Sequence, residues 1–173
     1  GLPKKGEDYL TKKTKKHMVY YHKLGTPQSQ DKLVFGGDKM PRRYVRASVT
    51  NDGSTLIITA AQSTSGNEMY MKDLTKPNGK VIPIVTNFTK DHYLIGKQKN
   101  KLYFYTNLNA PNGRVVVADM SNPTPKNWKD IIPETKNTLS ISSAGGYLFA
   151  SYLVDVKTQV LQYTMEGKLV RKV

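Results

Sequence analysis

The sequence repeats with a period of 46 residues, and this period constrains the fold more than any other feature. Its clearest marker is a leucine in a strand-like run, found at Leu56, Leu102 and Leu148. Asp73 and Asp119 are likewise 46 residues apart and lie near the end of the next strand-like run in two successive units. A period of roughly 40 to 50 residues built from short strands is typical of β-propeller blades.

Each repeat unit contains four short strand-like segments. They run over about 44–50, 55–62, 68–74 and 81–86 in the first unit, 92–97, 101–107, 114–120 and 128–132 in the second, and 138–143, 147–153, 159–165 and 168–173 in the third. β-Branched and aromatic residues dominate these segments, and Gly, Asn and Asp fill the turns between them. Upstream, residues 18–24 and 32–35 resemble the last two strands of a unit. Only residues 126–130 suggest a helical turn.

The sequence therefore predicts an all-β fold, a β-propeller fragment of about three and a half four-stranded antiparallel blades. The expected division is a basic N-terminal loop segment at 1–17, a half blade at 18–41, and blades at 42–86, 87–132 and 133–173. Blades bury their faces against neighbours, and rings usually close with four to eight of them. An arc of this length leaves apolar faces at both ends, so we expect it to belong to a larger ring or to self-associate through its open blade edges.

The chain is strongly basic, with 27 Lys and Arg against 13 Asp and Glu and a formal net charge of +14. Such a charge can attract nucleic acid or anionic lipid. The one dense cluster precedes the first strand and contains no interleaved aromatic residue, which favours a solvated loop; its lysines are Lys4, Lys5, Lys12, Lys13, Lys15 and Lys16. The longest apolar stretch, 147–154, is too short to span a bilayer. Neither nucleic acid nor a membrane is expected as a partner.

Most aromatic residues occupy strand positions, where packing between blades explains them and a stacking platform for nucleic acid is the alternative. They are Tyr20, Tyr21, Tyr44, Tyr70, Tyr103, Phe104, Tyr105, Tyr147, Phe149, Tyr152 and Tyr163. The absence of cysteine excludes disulfides and a cysteine nucleophile, and leaves the compartment open between cytoplasm and periplasm.

The common catalytic motifs are missing from the sequence. It contains neither a Gly-x-Ser-x-Gly elbow nor a phosphate-binding Gly-rich loop. If His17 and His22 both lie on the first strand, their odd separation places them on opposite faces, which argues against a shared metal. Asp73 and Asp119 are expected to cap turns rather than to act as an acid–base pair. No catalytic residue, metal or cofactor is predicted.

One segment carries a specific resemblance. The string YYHKLGTPQSQD at residues 20–31 resembles the propeller domain of prolyl oligopeptidase (prolyl endopeptidase, serine peptidase family S9). Further segments agree in order: SVTNDG at 48–53, NEMYMKDL at 67–74, NWKDIIPE at 127–134 and YLVDVK at 152–157. The likeness extends from about residue 18 to the last residue.

The resemblance implies part of a seven-bladed propeller that covers an α/β-hydrolase domain of the same parent chain. The family's catalytic triad lies in that hydrolase domain, so this chain is expected to be inactive alone while its parent is a serine-type endopeptidase. The propeller acts as a gate that admits only short, proline-containing peptides. The resemblance also implies a substrate-facing loop before the third strand of the first blade, although relatives carry a cysteine and longer charged residues there. Its expected residues are Gln62, Ser63, Thr64 and Ser65.

Two other functions are compatible with the sequence. A propeller-like repeat could close a ring by self-assembly and serve as a binding module that presents a protein-interaction surface. The net charge alone would fit a nucleic-acid binder, although lysines on strands more often protect sheet edges and maintain solubility.

Overall fold

The structure is all-β and consists of a row of antiparallel sheets, which confirms the predicted fold class. The computed structural model describes residues 16–38, 40–76 and 78–173. A two-stranded sheet is followed by three four-stranded sheets. The strands are β1 Met18–Tyr21 and β2 Lys32–Gly36, then β3 Tyr44–Val49, β4 Thr55–Ala61, β5 Asn67–Asp73 and β6 Val81–Val85, then β7 His92–Gln98, β8 Lys101–Thr106, β9 Arg114–Asp119 and β10 Lys129–Ile132, and finally β11 Leu139–Ala144, β12 Tyr147–Val154, β13 Lys157–Thr164 and β14 Leu169–Lys172.

Each four-stranded sheet is a meander in which sequential strands are neighbours. The strand orders are β3-β4-β5-β6, β10-β9-β8-β7 and β11-β12-β13-β14. The register repeats from blade 1 to blade 2, since Leu56 pairs with Lys72 and Leu102 with Ala118, whereas Leu148 pairs with Tyr163, one residue short of the same period. We refer to the two-stranded sheet as the half blade and to the following sheets as blades 1, 2 and 3.

The apolar cores lie between the sheets rather than within any one of them. Phe35 of the half blade packs with residues of blade 1, including Ile58 and Tyr70. Ile57 and Met69, on the other face of blade 1, pack with blade 2. Blade 2 in turn shares a third cluster with blade 3, which includes Leu148 and Tyr152. Strand alternation therefore gives each interior blade two buried faces.

Two short 3₁₀ helices interrupt the strands, at Gln28–Gln30 and Pro125–Asn127. The second overlaps the helical turn expected at 126–130 but lies earlier, because residues 129 and 130 belong to β10. It also corrects the predicted start of β10, because Trp128 ends this helix and the strand begins at Lys129. The Trp128 indole Nε1 donates to the Pro123 carbonyl at 2.7 Å, and this bond holds the side chain against the blade. No helix in the described part of the chain is both long and apolar enough to cross a membrane.

The first strand is also shorter than predicted. β1 ends at Tyr21, so His17 and His22 flank it instead of lying on it. The His17 Nδ1 accepts the Val45 N–H at 3.0 Å, whereas the His22 Nδ1 lies 2.6 Å from Asp31 Oδ1. The two imidazoles thus have separate structural partners. Of the predicted basic N-terminal cluster, all but Lys16 falls outside the described residues.

The turn between β12 and β13 contains an unfavourable backbone conformation. Val154 pairs with Lys157, which leaves a two-residue turn of Asp155 and Val156 with φ values of 46° and 66°. Glycine and asparagine suit such a turn, whereas a β-branched residue at positive φ is strained. The Val156 side chain is 93% exposed, so it makes little packing contact in return.

We expect Val156→Gly to stabilise the protein by about 1 kcal/mol, because glycine adopts this backbone conformation without steric cost. Chemical denaturation of the variant and the parent sequence measures the difference. Val170→Gly is the matched control, since Val170 is also exposed but lies in β14, where glycine should destabilise. Equal effects of the two substitutions would contradict the assignment of strain to residue 156.

Candidate functional site

The sheets have two ends with different loops. One end, here called the loop end, contains the connections from second to third strands, at 62–66 and 107–113, and the linkers between blades, at 86–91 and 133–138. The other, the turn end, contains the connections from first to second strands, such as residues 50–54. The predicted substrate-facing residues, Gln62, Ser63, Thr64 and Ser65, lie at the loop end and are all exposed. We call them the 62–65 loop.

The base of the 62–65 loop is fixed to the linker that leads into blade 2. The Gly66 N–H donates to Asp91 Oδ1 at 2.7 Å, and the Asn67 N–H donates to the Lys90 carbonyl at 3.0 Å. The chain also approaches closely here, because a Cβ on Gly66 would lie 1.8 Å from the Phe88 carbonyl oxygen. With φ at +75°, residue 66 has to be glycine for both reasons.

Asp91 extends this contact into blade 2. Its Oδ2 accepts the Asn107 side-chain amide at 3.0 Å, and its own N–H donates to Asn107 Oδ1 at 2.8 Å. A similar arrangement recurs at the next junction, where the N–H of Asn112, 46 residues after Gly66, donates to Glu134 Oε1 at 2.6 Å. A carboxylate from the following linker thus holds the loop end of both blade junctions.

A buried ion pair lies beneath the 62–65 loop. Arg43 donates to both carboxylate oxygens of Glu68, from Nε at 2.7 Å and from a terminal nitrogen at 3.0 Å, and the Glu68 side chain is 4% exposed. The guanidinium also lies 5.3 Å from the centre of the Phe88 ring. Burial and the nearby Glu68 charge raise the pKa of Tyr70 to about 12. The two charges are paired with each other, and the pairing orients the Arg43 guanidinium towards the Phe88 ring.

His92, the third histidine, is a buried structural residue. Its Nδ1 lies 2.8 Å from Thr106 Oγ1, its backbone N–H donates to Asn67 Oδ1, and its ring meets Trp128 edge-on at 5.6 Å. Burial lowers the pKa of His92 to about 4, so the imidazole is neutral at pH 7. It supports the loop end by packing.

Two tyrosines form a stacked pair at the loop end. Tyr93 of β7 and Tyr105 of β8 are paired in register, with ring centres 4.6 Å apart and ring planes 13° apart. Tyr93 is 41% exposed, whereas Tyr105 is partly buried. Tyr105 is one of the aromatic residues expected from the sequence to pack between blades, whereas Tyr93 is not among them. The signal in the sequence for Tyr93 was its position as the second residue of the first strand of a blade.

The turn end contains a recess of about 430 Å³ where the three blades meet. Lys97 Nζ lies 2.6 Å from Asp52 Oδ2 across the junction of blades 1 and 2. The bond from Lys97 and those from Thr50 and Ser54 hold the pKa of Asp52 far below its usual range. At the next junction the Ser143 hydroxyl donates to the Ile95 carbonyl at 2.9 Å. These polar groups are occupied by contacts between blades.

The other candidate residues have structural roles. Asp73 Oδ1 accepts the Thr75 N–H at 3.0 Å, and Asp119 Oδ1 accepts the Ser121 N–H at 2.9 Å, which confirms that both aspartates cap turns. Within the described ranges, no three His, Asp or Glu side chains lie close enough to hold a metal ion. The loop end combines a fixed loop base with exposed aromatic and hydroxyl groups.

Comparison with known proteins identifies the family. Residues 2–173 match the sequence profile described as "Prolyl oligopeptidase, N-terminal beta-propeller domain". The chain belongs to this family. It is 47% identical over 171 residues to a prolyl endopeptidase of Elizabethkingia miricola, and 48% identical over 171 residues to that of Elizabethkingia meningoseptica. Both alignments cover 99% of this chain but only 24% of the relative, so the chain spans about a quarter of their length.

Solved structures show the same fold. A structure from a study of two prolyl endopeptidases and their inter-domain dynamics matches with a TM-score of 0.85 and 32% identity, over 92% of this chain and 24% of that one. Ligand-free prolyl oligopeptidase B from Galerina marginata matches with a TM-score of 0.79 and 28% identity, over 92% of this chain and 23% of that one. The resemblance noted from residues 20–31 is thereby confirmed.

The low pKa of His92 makes stability depend on pH. Between pH 6.5, the ordinary value for the unfolded chain, and about pH 4, the unfolded chain binds a proton at this residue that the folded chain excludes. We therefore expect His92 to lower the free energy of unfolding by about 3 kcal/mol in total as the pH falls from 6.5 to about 4. Below pH 4 it should cause no further loss.

His92→Gln should remove this part of the pH dependence, which urea denaturation at several pH values between 7 and 4 can measure. Thr106→Val is the control, because it removes the hydrogen-bond partner of the imidazole but leaves the titrating group in place. It should lower stability at every pH and retain the slope. A slope in His92→Gln equal to that of the parent sequence would show that other groups cause it.

Proposed function

We propose that the chain is part of the non-catalytic gating propeller of a prolyl oligopeptidase-type serine endopeptidase that cleaves short proline-containing peptides. Its proposed partner is an α/β-hydrolase domain of the same parent chain. The observation that carries the proposal is membership of the propeller family, together with relatives named prolyl endopeptidase across the whole of this chain. We propose the blade boundaries to be those expected from the sequence, at 42–86, 87–132 and 133–173.

Rigidity is the physical requirement for such a gate, and the described contacts support it. Both junctions between full blades combine an apolar core with polar contacts at both ends, such as Asp91 to Gly66 and Lys97 to Asp52 at the first. First strands β3, β7 and β11 form one edge of each sheet, and much of β3 is exposed. A wall of closely packed first strands would exclude a folded protein while an extended peptide could pass.

A second function, the self-assembling binding module, is favoured by the apolar residues exposed on the outermost sheets. The half blade exposes Tyr20 and Leu33, at 49% and 54%, and blade 3 exposes Leu153 at 65%. Single exposed apolar residues are ordinary, but both outermost sheets lack a neighbour on one side within the described chain. Another copy of the chain could cover these faces, and so could further blades of a longer protein.

Size selectivity tests the first function. The full-length parent protein should cleave a free ten-residue peptide with one internal proline, and should not cleave the same ten residues inserted into a loop of a folded carrier protein. This chain alone should show no turnover of the free peptide. Fluorogenic assays measure all three rates. Digestion of the carrier by a non-selective protease is the control that shows whether the inserted segment is accessible.

Turnover by the isolated chain that follows its purity through chromatography would contradict the proposal. Equal cleavage of the free and the inserted peptide would contradict the gating role. Sedimentation of the isolated chain distinguishes the second function, because a closed oligomer of defined size would favour the binding module over the gate.

We also propose that the 62–65 loop contacts peptide substrate. Its four side chains are exposed at the loop end, three of them carry hydroxyl groups, and the chain that follows is fixed at Gly66 and Asn67. A fixed base lowers the entropy lost when an exposed loop orders around a ligand. Hydroxyl and amide groups on such a loop can bond to the backbone of an extended peptide.

Replacing residues 62–65 with Gly-Ala-Gly-Ala in the full-length protein removes the amide and all three hydroxyl groups, and should raise KM for the free ten-residue peptide roughly fivefold, the effect of losing about one hydrogen bond. Because Gly66 and Asp91 are retained, the melting temperature should change little. Asn51→Ser, an exposed change at the turn end, is the control and should leave KM unaltered. An unchanged KM in the loop variant would remove the 62–65 loop from the substrate site.

A further inference from the structure

The stacked tyrosine pair at the loop end is an exposed aromatic surface with no assigned partner. One face of the Tyr93 ring lies against Tyr105, with ring centres 4.6 Å apart. The 41% exposure of Tyr93 therefore falls on its opposite face and its edge. Neither phenol hydroxyl forms a hydrogen bond with another residue in the described part of the chain. We call this pair the tyrosine ledge.

The ledge is held in place from behind. Gly113 lies directly against the Tyr105 ring, because a Cβ at this position would be 2.5 Å from Tyr105 Cε2. Its φ of +87° also favours glycine. Tyr93 itself follows His92, whose backbone and ring are bonded to Asn67 and Thr106. The ledge therefore requires little ordering when a ligand binds, which favours affinity.

The surroundings of the ledge favour one kind of ligand. Asp91 lies close enough that its charge helps to raise the pKa of Tyr105, after the larger effect of burial. Burial also raises the pKa of Tyr93 to about 12, so its hydroxyl remains a donor at neutral pH. Electron-rich ring faces near a carboxylate attract polarised C–H groups and disfavour acidic side chains. Extended, proline-rich segments dock on aromatic surfaces of this type.

We propose that the tyrosine ledge is a peptide subsite that binds a proline ring of the substrate away from the bond that is cleaved. The proline ring stacks on the exposed face of Tyr93, and the Tyr93 hydroxyl can donate to a neighbouring peptide carbonyl. This inference rests on the proposed function, because it takes the ligand to be a proline-containing peptide. It adds a site that is separate from the 62–65 loop, on the first strand of the next blade.

The test uses the full-length protein and three peptides that share one cleavable proline. The first is a blocked dipeptide amide, the second a ten-residue peptide with an additional distal proline, and the third the same ten residues with alanine at the distal position. Tyr93→Leu should raise KM for the two-proline peptide about fivefold, the typical effect of losing one ring stacking contact, with kcat unchanged. KM should stay within twofold for the dipeptide amide and for the alanine peptide.

Two further variants identify the cause. Tyr93→Phe retains the ring and should keep most of the affinity for the two-proline peptide. Tyr147→Leu is the matched control, because Tyr147 is 39% exposed but lies at the turn end, in β12. It should leave all three KM values unaltered. If Tyr93→Phe loses as much affinity as Tyr93→Leu, ring stacking is not the interaction and the proposal is wrong.

The remaining outcomes separate the ledge from the proposed function. If the unaltered protein cleaves the peptides and Tyr93→Leu does so with the same KM, only the ledge is overturned. If Tyr93→Leu raises KM equally for all three peptides and lowers the melting temperature, the ring contacts a protein domain rather than the peptide, which also overturns it. If the unaltered protein cleaves none of them, the proposed function fails. Calorimetric binding of the two-proline and alanine peptides then still tests the ledge, because equal affinities would refute it.

Discussion

The face-to-face packing of neighbouring sheets is the interaction on which this structure depends. In β8, Leu102 and Phe104 face blade 1, whereas Tyr103 between them faces blade 3. No single blade has a core of its own, so each one is stable only against a neighbour, as in other repeat proteins. Full burial of a side chain such as Phe104 contributes about 1.5 to 3 kcal/mol relative to leaving it exposed. The 46-residue period follows from this requirement to present the same two faces in every blade.

Apolar packing does not by itself fix how one blade is oriented on the next, because the hydrophobic effect has no direction. The polar contacts at the sheet ends supply that direction. Asp91 and Glu134 each accept a backbone N–H from the preceding blade at the loop end, and Lys97 pairs with Asp52 at the turn end. The loops near these contacts have a fixed base, which makes the loop end suitable for presenting binding groups.

The sequence predicted the parts of the fold that depend on local pattern. Strand alternation, turn residues and the period were sufficient for the blades and for the capping roles of Asp73 and Asp119. Local pattern missed features that depend on contacts between segments. The sequence predicts Trp128 as a strand residue. In the structure its side chain donates to the Pro123 carbonyl and its backbone ends a 3₁₀ helix. The stacking of Tyr93 depends on the register that pairs it with Tyr105 and on the backing by Gly113. Val156 adopts a backbone conformation that its residue type disfavours, because the pairing of β12 and β13 imposes it.

The two ends of the sheets differ in what their polar groups are free to do. At the turn end, one Asp52 oxygen bonds Lys97 and the other bonds Thr50 and Ser54, so the adjoining recess offers few unused partners. At the loop end, the paired carboxylates lie at the base of the loops, while the 62–65 hydroxyls and the Tyr93 ring remain exposed. The loop end thus keeps aromatic and hydroxyl groups exposed, whereas the carboxylate beside the turn-end recess is bonded within the protein.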